Sequence, residues 1–473
     1  MKRPTCLRIS CCALLGVLAA CAVPLDEPPR RPNIVLMIAD DWSYPHAGFL
    51  GDPVVATPTF DALCAKGVCF SQAFVSAPSC SPARAAILAG QHHWRLAGAA
   101  NLWGSMPRDT LLLTDILADQ GYLIGKFGKG HWPSHHRHRK TLPLPAGHER
   151  FEKFLRRRPA GQPFFYWFGG QDPHRPYDTG IGQRSGLDPA RVMVPTCLPD
   201  HPKVRSDLCD YYWEVQRFDR QCGRILQELE RVGELDNTVV IMTSDNGMPF
   251  PRCKATLYDL GTRVPLVVAW GARVPGARRV TDFVGLQDLA PTILEACGVA
   301  VPAAMNARSM LPVLVSTATG RVDASRDHVL TGMEGHVEDN PQRAIRTDRY
   351  LLIRNYYEGA WPVHPDSEYN FNIDPSPTKT YMAGSRDTAG AGRLYQLAFE
   401  ARPKLELYDL DRDPAQLVNV AQVEAYVETR KRLEGQLLGA LLVSRDPRAF
   451  GRGSEFLSYR AADRAHKRAQ QRK

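Results

Sequence analysis

The sequence predicts an α/β fold: a large, mixed and mostly parallel sheet with helices on both faces, followed by a smaller C-terminal domain of antiparallel sheet and helix. Three observations carry that reading. The short apolar runs Asn33–Ala39, Phe164–Phe168, Thr238–Met242 and Val264–Val268 lack polar alternation, as strands covered on both faces require. Helical spacing separates them, over Phe60–Lys66, Pro82–Leu88, Leu111–Gln120, Leu208–Val232 and Leu286–Ala296. Beyond about residue 330 the texture changes. Ala344–Thr347 and Tyr350–Arg354 flank Asp348-Arg349 as a hairpin, Leu405–Leu410 reads as another strand, and Val423–Leu442 has helical spacing.

In chain order, the first segment is an address rather than fold. Lys2, Arg3 and Arg8 precede the apolar run Cys11–Ala20, a signal-peptide pattern too short for a membrane span of about 20 residues. The run ends Leu18-Ala19-Ala20-Cys21, which resembles the lipobox of bacterial lipoproteins. That resemblance implies cleavage before Cys21, lipidation of its thiol, and a periplasmic or cell-surface lipoprotein held to the membrane by the lipid. Ordinary secretion is the alternative. Residues 21–32 then form a Pro-rich tether, 33–330 the catalytic domain, 331–458 the C-terminal subdomain, and 459–473 a basic tail with few large apolar residues, expected to fray.

Composition narrows the class. In 473 residues, 44% apolar and 23% charged side chains describe a soluble globular enzyme and exclude collagen-like, coiled-coil and polytopic membrane chains. The net charge of +9 falls to +6 without the signal's three basic residues, a mild lure for anionic ligands, and nucleic acid is not an expected partner. Of twelve cysteines, four belong to the N-terminal signal, and Cys80 is claimed by chemistry. The seven others are an odd number, so at least one thiol stays free, and no zinc-ligand spacing appears.

The chemistry-bearing residues fall at strand ends. Asp40-Asp41 follows the first strand and Asp245-Asn246 follows the Thr238–Met242 strand, where an open α/β sheet presents its site. Their hard oxygen ligands suit Ca²⁺ or Mg²⁺ rather than zinc. Cys80-Ser81-Pro82-Ala83-Arg84 puts a thiol just before a Pro-initiated helix, whose N-terminus favours an anion, and Arg84 adds a planar cation. Each element alone also has a plain reading as a buried thiol, a helix cap or a turn. Their combination is what points to a metal site.

These motifs resemble the formylglycine-dependent sulfatases of the alkaline-phosphatase superfamily. The signature Cys-x-Pro-x-Arg matches Cys80 to Arg84, and the opening strand with paired Asp matches Asn33 to Asp41. Gly128-Lys129-Gly130-His131, Asp172-Pro173-His174-Arg175-Pro176, Asp245-Asn246 and Lys254 follow in family order, out to about residue 270. Local wording around Ser79-Cys80-Ser81-Pro82, Thr243–Pro251, Leu257-Tyr258 and Glu406–Asp409 is similar to the sulfamidase branch, heparan N-sulfatase. Lys254 and Gln171 depart from it, standing where that branch can carry Arg and His.

The resemblance implies an alkaline-phosphatase-like fold and a maturation enzyme that oxidises the Cys80 thiol to an aldehyde, formylglycine. It implies one Ca²⁺ held by Asp40, Asp41, Asp245, Asn246 and residue 80. One hydroxyl of the hydrated aldehyde would attack sulfur, and the second would then expel sulfate. Arg84, Lys129 and Lys254 would hold sulfate oxygens, His131 would handle the diol proton, and His174 would protonate the leaving atom. The expected substrate is a sulfated saccharide, N-sulfated or O-sulfated. The competing readings are a phosphate- or phosphonate-ester hydrolase and a non-catalytic receptor for sulfated glycans. His92-His93 and the basic loop following His131 are taken as structural or solvated.

Overall fold

The computed structural model describes Met1 and residues 30–131, 150–271, 273–357, 372–388 and 390–471, with side chains as far as 463 in the last segment. The signal segment, Cys21, most of the tether and the basic loop beyond His131 lie outside the described residues. Among the described residues, no helix is long and apolar enough to cross a membrane.

The strands are β1 (Asn33–Ala39), β2 (Val68–Phe70), β3 (Ala73–Phe74), β4 (Leu123–Gly128), β5 (Phe164–Gly169), β6 (Thr238–Ser244), β7 (Leu266–Ala269), β8 (Arg278–Val280) and β9 (Val284–Gly285). After them come β10 (His328–Gly335), β11 (Asp339–Thr347), β12 (Tyr350–Asn355) and β13 (Leu405–Asp409). Seven strands form one sheet in the order β4-β5-β1-β6-β7-β2-β8. Its half from β4 to β6 is parallel, whereas β7 runs antiparallel to both β6 and β2. The sheet is therefore mixed and mostly parallel.

The apolar runs behave as doubly covered strands must. Val35, Met37 and Ala39 of β1 face a core that includes Tyr166, Phe168, Val240 and the helix Pro202–Arg231. Ile34, Leu36 and Ile38 face the opposite core, with Trp167, Ile241 and the helices Cys80–Ala89 and Leu289–Ala296. Alternate residues of one strand thus feed two cores.

The smaller sheet is antiparallel, β10-β11-β12-β13, and the Asp348-Arg349 hairpin joins β11 to β12 as expected. One face packs Leu330, Ile345, Leu352 and Leu407 under Leu433, Leu437 and Leu441 of the helix Val427–Val443. The other face sets Met333, Ala344, Leu351 and Ile353 against Ala255, Leu257 and Tyr258 of the larger unit. The basic tail corrects the sequence expectation: Ser454–Gln471 is one helix, not a frayed end. Phe456 joins the core of the small sheet and Asp463 accepts a hydrogen bond from Ser105 N at 3.0 Å, so the segment gains tertiary partners that its composition does not advertise. The eight described cysteines are all buried and free.

A buried ion cluster fixes the small sheet to its last loop. Arg343 Nε and Nη2 donate to the two carboxylate oxygens of Asp446 at 2.7 and 3.0 Å, and Nη2 also donates to Glu334 at 2.6 Å, all fully buried. Removing one partner of such a pair strands a buried charge. Asp446→Ala should therefore lose about 3–5 kcal/mol in urea unfolding. Asp178→Ala, which breaks an exposed pair with Arg184, should cost less than about 1 kcal/mol.

Candidate active site

Strand register assembles the site. In the parallel half, Gly128 pairs with Gly169, Ile38 with Gly169, and Ala39 with Ser244. The residues that follow these strands, Lys129, Asp40-Asp41, His174 and Asp245-Asn246, therefore emerge along one edge, where such sheets bind ligands. Glycine is required for the close packing at this edge. Gly128 has φ +76°, and a Cβ there would stand 2.0 Å from Gly169 O. At Gly247 a Cβ would stand 1.8 Å from Leu260 O. Asp41 itself adopts φ 80°, a left-handed conformation that Asp tolerates better than most residues.

Cys80 is the first residue of the helix Cys80–Ala89, with extended Ser79 as its N-cap, so the thiol sits on the first turn rather than just before it. The whole helix is buried, and its Ala-rich surface lets it lie close against its neighbours. Burial pushes the Cys80 thiol up, opposed by Lys129, and Asp40, Asp245 and Lys254 also act on it electrostatically. The unmodified thiol is thus kept protonated, unlike an activated cysteine nucleophile.

Around Cys80, each of three buried carboxylates has its own cation. Arg84 Nε donates to Asp245 Oδ2 at 2.6 Å, Lys254 Nζ donates to Asp41 Oδ2 at 2.7 Å, and Lys129 Nζ donates to Asp40 Oδ2. Arg84 also donates to the carbonyls of Lys129 and Ala39, at 2.7 and 3.3 Å. In this arrangement the guanidinium braces the ligand set from behind. Burial would raise Asp40, but Lys129 and then Arg84 hold its carboxyl below the usual carboxylate range. Asp245 is pushed up to about 7 by burial, with Arg84 opposing.

The donor set fits a hard cation. One oxygen from each of Asp40, Asp41 and Asp245 lies within 4.8 Å of the others. Asp40 Oδ1 and Asn246 Oδ1 are buried and accept no hydrogen bond. Buried oxygens are rarely left without a donor, and these two adjoin a carboxylate cluster. The residues that could hold Ca²⁺ or Mg²⁺ are Asp40, Asp41, Asp245 and Asn246.

The two expected histidines are held by backbone carbonyls. His131 Nε2 donates to Gly104 O at 2.9 Å, and His174 Nδ1 donates to Arg175 O at 2.6 Å. His174 Nε2 then faces Asp41 Oδ2 at 4.0 Å. Its loop is locked by Arg175, which makes a bidentate pair with Asp207 at 2.8 and 2.8 Å and donates to Pro249 O. By contrast His93 is fully buried beside Ser76 Oγ, and burial pushes His92 down to about 3. Both are structural.

Sequence reasoning missed two residues. Asp374 Oδ2 accepts from Lys254 Nζ at 3.1 Å, and His336, at the end of β10, hydrogen-bonds Ser79 Oγ at 2.8 Å through Nδ1. Burial, then Lys254, pushes His336 down to about 3. Neither sits in a recognisable motif. Folding of the small sheet against residues 255–258 brings in His336, whereas Asp374 arrives on a segment whose Ile373 and Met382 join the large core and whose Thr378 bonds Asp207.

Acidic residues at parallel strand ends, a helix N-terminus and clustered cations make a site suited to a hard cation and an anionic ligand, as in hydrolases of anionic esters. The sulfatase family model matches residues 32–140 and 148–299, and the model for the N-sulphoglucosamine sulphohydrolase C-terminal region matches 253–386. The chain belongs to the sulfatase family. It is 30% identical to human (Homo sapiens) N-sulphoglucosamine sulphohydrolase, over 93% of this chain and 94% of that one. It is 25% identical to an ulvan-active sulfatase of Formosa agariphila, over 86% and 74%. Among solved structures, one described as complexed with its substrate D-glucosamine-2-N,6-O-disulfate has a TM-score of 0.65 at 18% identity, covering 88% of this chain and 98% of that one. A phosphonate monoester hydrolase of Agrobacterium radiobacter has a TM-score of 0.64 at 19% identity, covering 88% and 96%. At such identity these structures share the fold. The chain is an enzyme that hydrolyses sulfate esters or sulfamates.

Calcium titration by calorimetry should show Asp245→Asn binding at least about 100-fold more weakly than wild type. Arg84→Gln, which removes only a brace, should weaken it about 10- to 100-fold. Unchanged affinity in both would remove the cation from this cluster.

Proposed function

We propose that this sulfatase hydrolyses the N-sulfate of a glucosamine in a sulfated saccharide, through a formylglycine made from Cys80 and with one bound Ca²⁺. The observation that carries the reading is the convergence of Cys80 with Asp40, Asp41, Asp245 and Asn246, two of whose oxygens are buried and accept no hydrogen bond. The N-sulfate choice is supported by similarity that extends through residues 253–386.

Formylglycine would supply a hydrated aldehyde whose one hydroxyl attacks sulfur and whose other later expels sulfate. The cation would lower the pKa of the attacking hydroxyl and offset charge on the sulfate. Residues of the chain itself do the rest. Lys129 and Lys254 reach different carboxylates of the cluster, Asp40 and Asp41, and are the candidates to take sulfate oxygens. His131, held through Nε2 by Gly104 O, is the candidate to handle the diol proton. His174 is anchored through Nδ1, which leaves Nε2 to deliver a proton to the leaving nitrogen.

Making the aldehyde calls for a maturation enzyme, and we propose export with a lipid anchor at Cys21. Mass spectrometry of the Ser76–Arg84 peptide should find the aldehyde at position 80 in protein recovered from its native compartment. A persistent thiol would favour the glycan-receptor reading instead. Cys21→Ser should shift active protein from the membrane to the soluble fraction, and unchanged partitioning would leave ordinary secretion.

A sulfamate nitrogen leaves poorly unless protonated, whereas an aryl sulfate's phenolate leaves unaided. His174→Ala should therefore lose about 10²–10⁴-fold on an N-sulfated glucosamine and a clearly smaller factor on an aryl sulfate. Equal losses would make His174 a sulfate holder. No turnover of N-sulfated sugars by protein with confirmed formylglycine would leave an O-sulfatase.

A further inference from the structure

Asp374 is a carboxylate in a place built for anions. Its Oδ2 accepts from Lys254 Nζ at 3.1 Å, and one of its oxygens lies within 4.8 Å of a His174 ring nitrogen and of an Asp41 oxygen. Its side chain is 22% exposed, whereas those of Lys254 and Asp41 are at 2% and 0%. It therefore reaches the open side of the cluster. Its backbone is well anchored: Lys379 Nζ donates to Ile373 O at 2.9 Å, Ser376 Oγ accepts from Lys379 N at 3.0 Å, and Thr378 Oγ1 donates to Asp207 at 2.6 Å.

Lys254 already has Asp41 as a counter-ion at 2.7 Å, so a second carboxylate is not needed to neutralise it. A negative charge beside a sulfate pocket repels the substrate's anionic end. Such a charge is favourable only toward a hydrogen-bond donor or a cation on the rest of the substrate. His174, placed to protonate the leaving atom, is the neighbour of Asp374, so that atom comes within reach of both. An ester oxygen leaves as a neutral alcohol. A sulfamate nitrogen leaves as an amine: the S–N bond breaks, nitrogen takes a proton from His174, and a further proton from water makes it ammonium.

We propose that Asp374 recognises the leaving amine of an N-sulfated glucosamine and so sets the preference for N-sulfate over O-sulfate. The inference rests on the proposed function and deepens it. Asp374 is then a specificity residue, distinct from the groups that bind sulfate.

The test compares wild type and Asp374→Asn, both with formylglycine confirmed, on N-sulfoglucosamine and on a 6-O-sulfated N-acetylglucosamine. A hydrogen bond to a charged partner corresponds to about 10- to 100-fold. The loss in kcat/KM on the N-sulfated sugar should exceed the loss on the O-sulfated one by at least about tenfold. Calorimetry with free glucosamine as the probe should show a similar loss in the variant, while inorganic sulfate binds both proteins within a small factor of each other. Equal losses on both substrates, or glucosamine binding that ignores the substitution, overturn the inference and leave Asp374 as a counter-charge for Lys254. Wild type that turns over no N-sulfated sugar ends the function reading instead, and the glucosamine titration still decides the role of Asp374.

Discussion

Three carboxylates share one buried volume, and nearly everything in the large unit answers to that. Asp40, Asp41 and Asp245 are at most 1% exposed, with an oxygen of each within 4.8 Å of the others. Uncompensated, such a cluster could not stay ionised. The fold meets the cost with Lys129, Lys254 and Arg84, one cation to each acid. Each cation comes from a different element, and each element is pinned. The glycine contact between Gly128 and Gly169 fixes Lys129, a fully buried helix carries Arg84, and Arg175 anchors the neighbouring His174 loop.

Lys254 shows how far that demand spreads. Its loop contains Arg252 and Ala255, both in the left-handed region at φ 66° and 60°, which is strained backbone for residues other than glycine. Arg252 lies over the Tyr258 ring at 3.7 Å and donates to the carbonyls of Leu397 and Gln416, both from the C-terminal part. The face of the small sheet that buries Leu257 and Tyr258 covers the same loop. The small sheet is therefore a buttress for one ammonium, and it adds His336 to the site's wall, while the separate segment around Ile373 adds Asp374. Strain in the loop persists because the packing on both sides over-determines it.

Legibility in the sequence follows the range of the interactions. The doubly covered strands and the helix Cys80–Ala89 could be read because apolar runs and Pro-initiated helices are local. The metal pairs Asp40-Asp41 and Asp245-Asn246 could be read because strand ends of a parallel sheet share one edge. Antiparallel β7 was hidden, since a buried run looks the same in either direction. The helix Ser454–Gln471 was hidden because its order rests on distant partners such as Ser105 and Asp339. Asp374 was hidden for the same reason, standing 120 residues from Lys254 in a segment with no motif.

Neither the fold nor the charge of the site by itself separates the chemistries open to this architecture. A phosphonate monoester hydrolase shares this architecture, so the sheet alone is neutral between phosphorus and sulfur. Asp40, Asp41 and Asp245 each answer to one cation, while Asp374 shares Lys254 with Asp41. A sulfate ester, a sulfamate and a phosphonate monoester are all monoanions, so charge at the cluster suits them alike. In the proposed reading, choice among them falls to the leaving-group end, where His174 would supply a proton and Asp374 a charge that only a donor or a cation can satisfy.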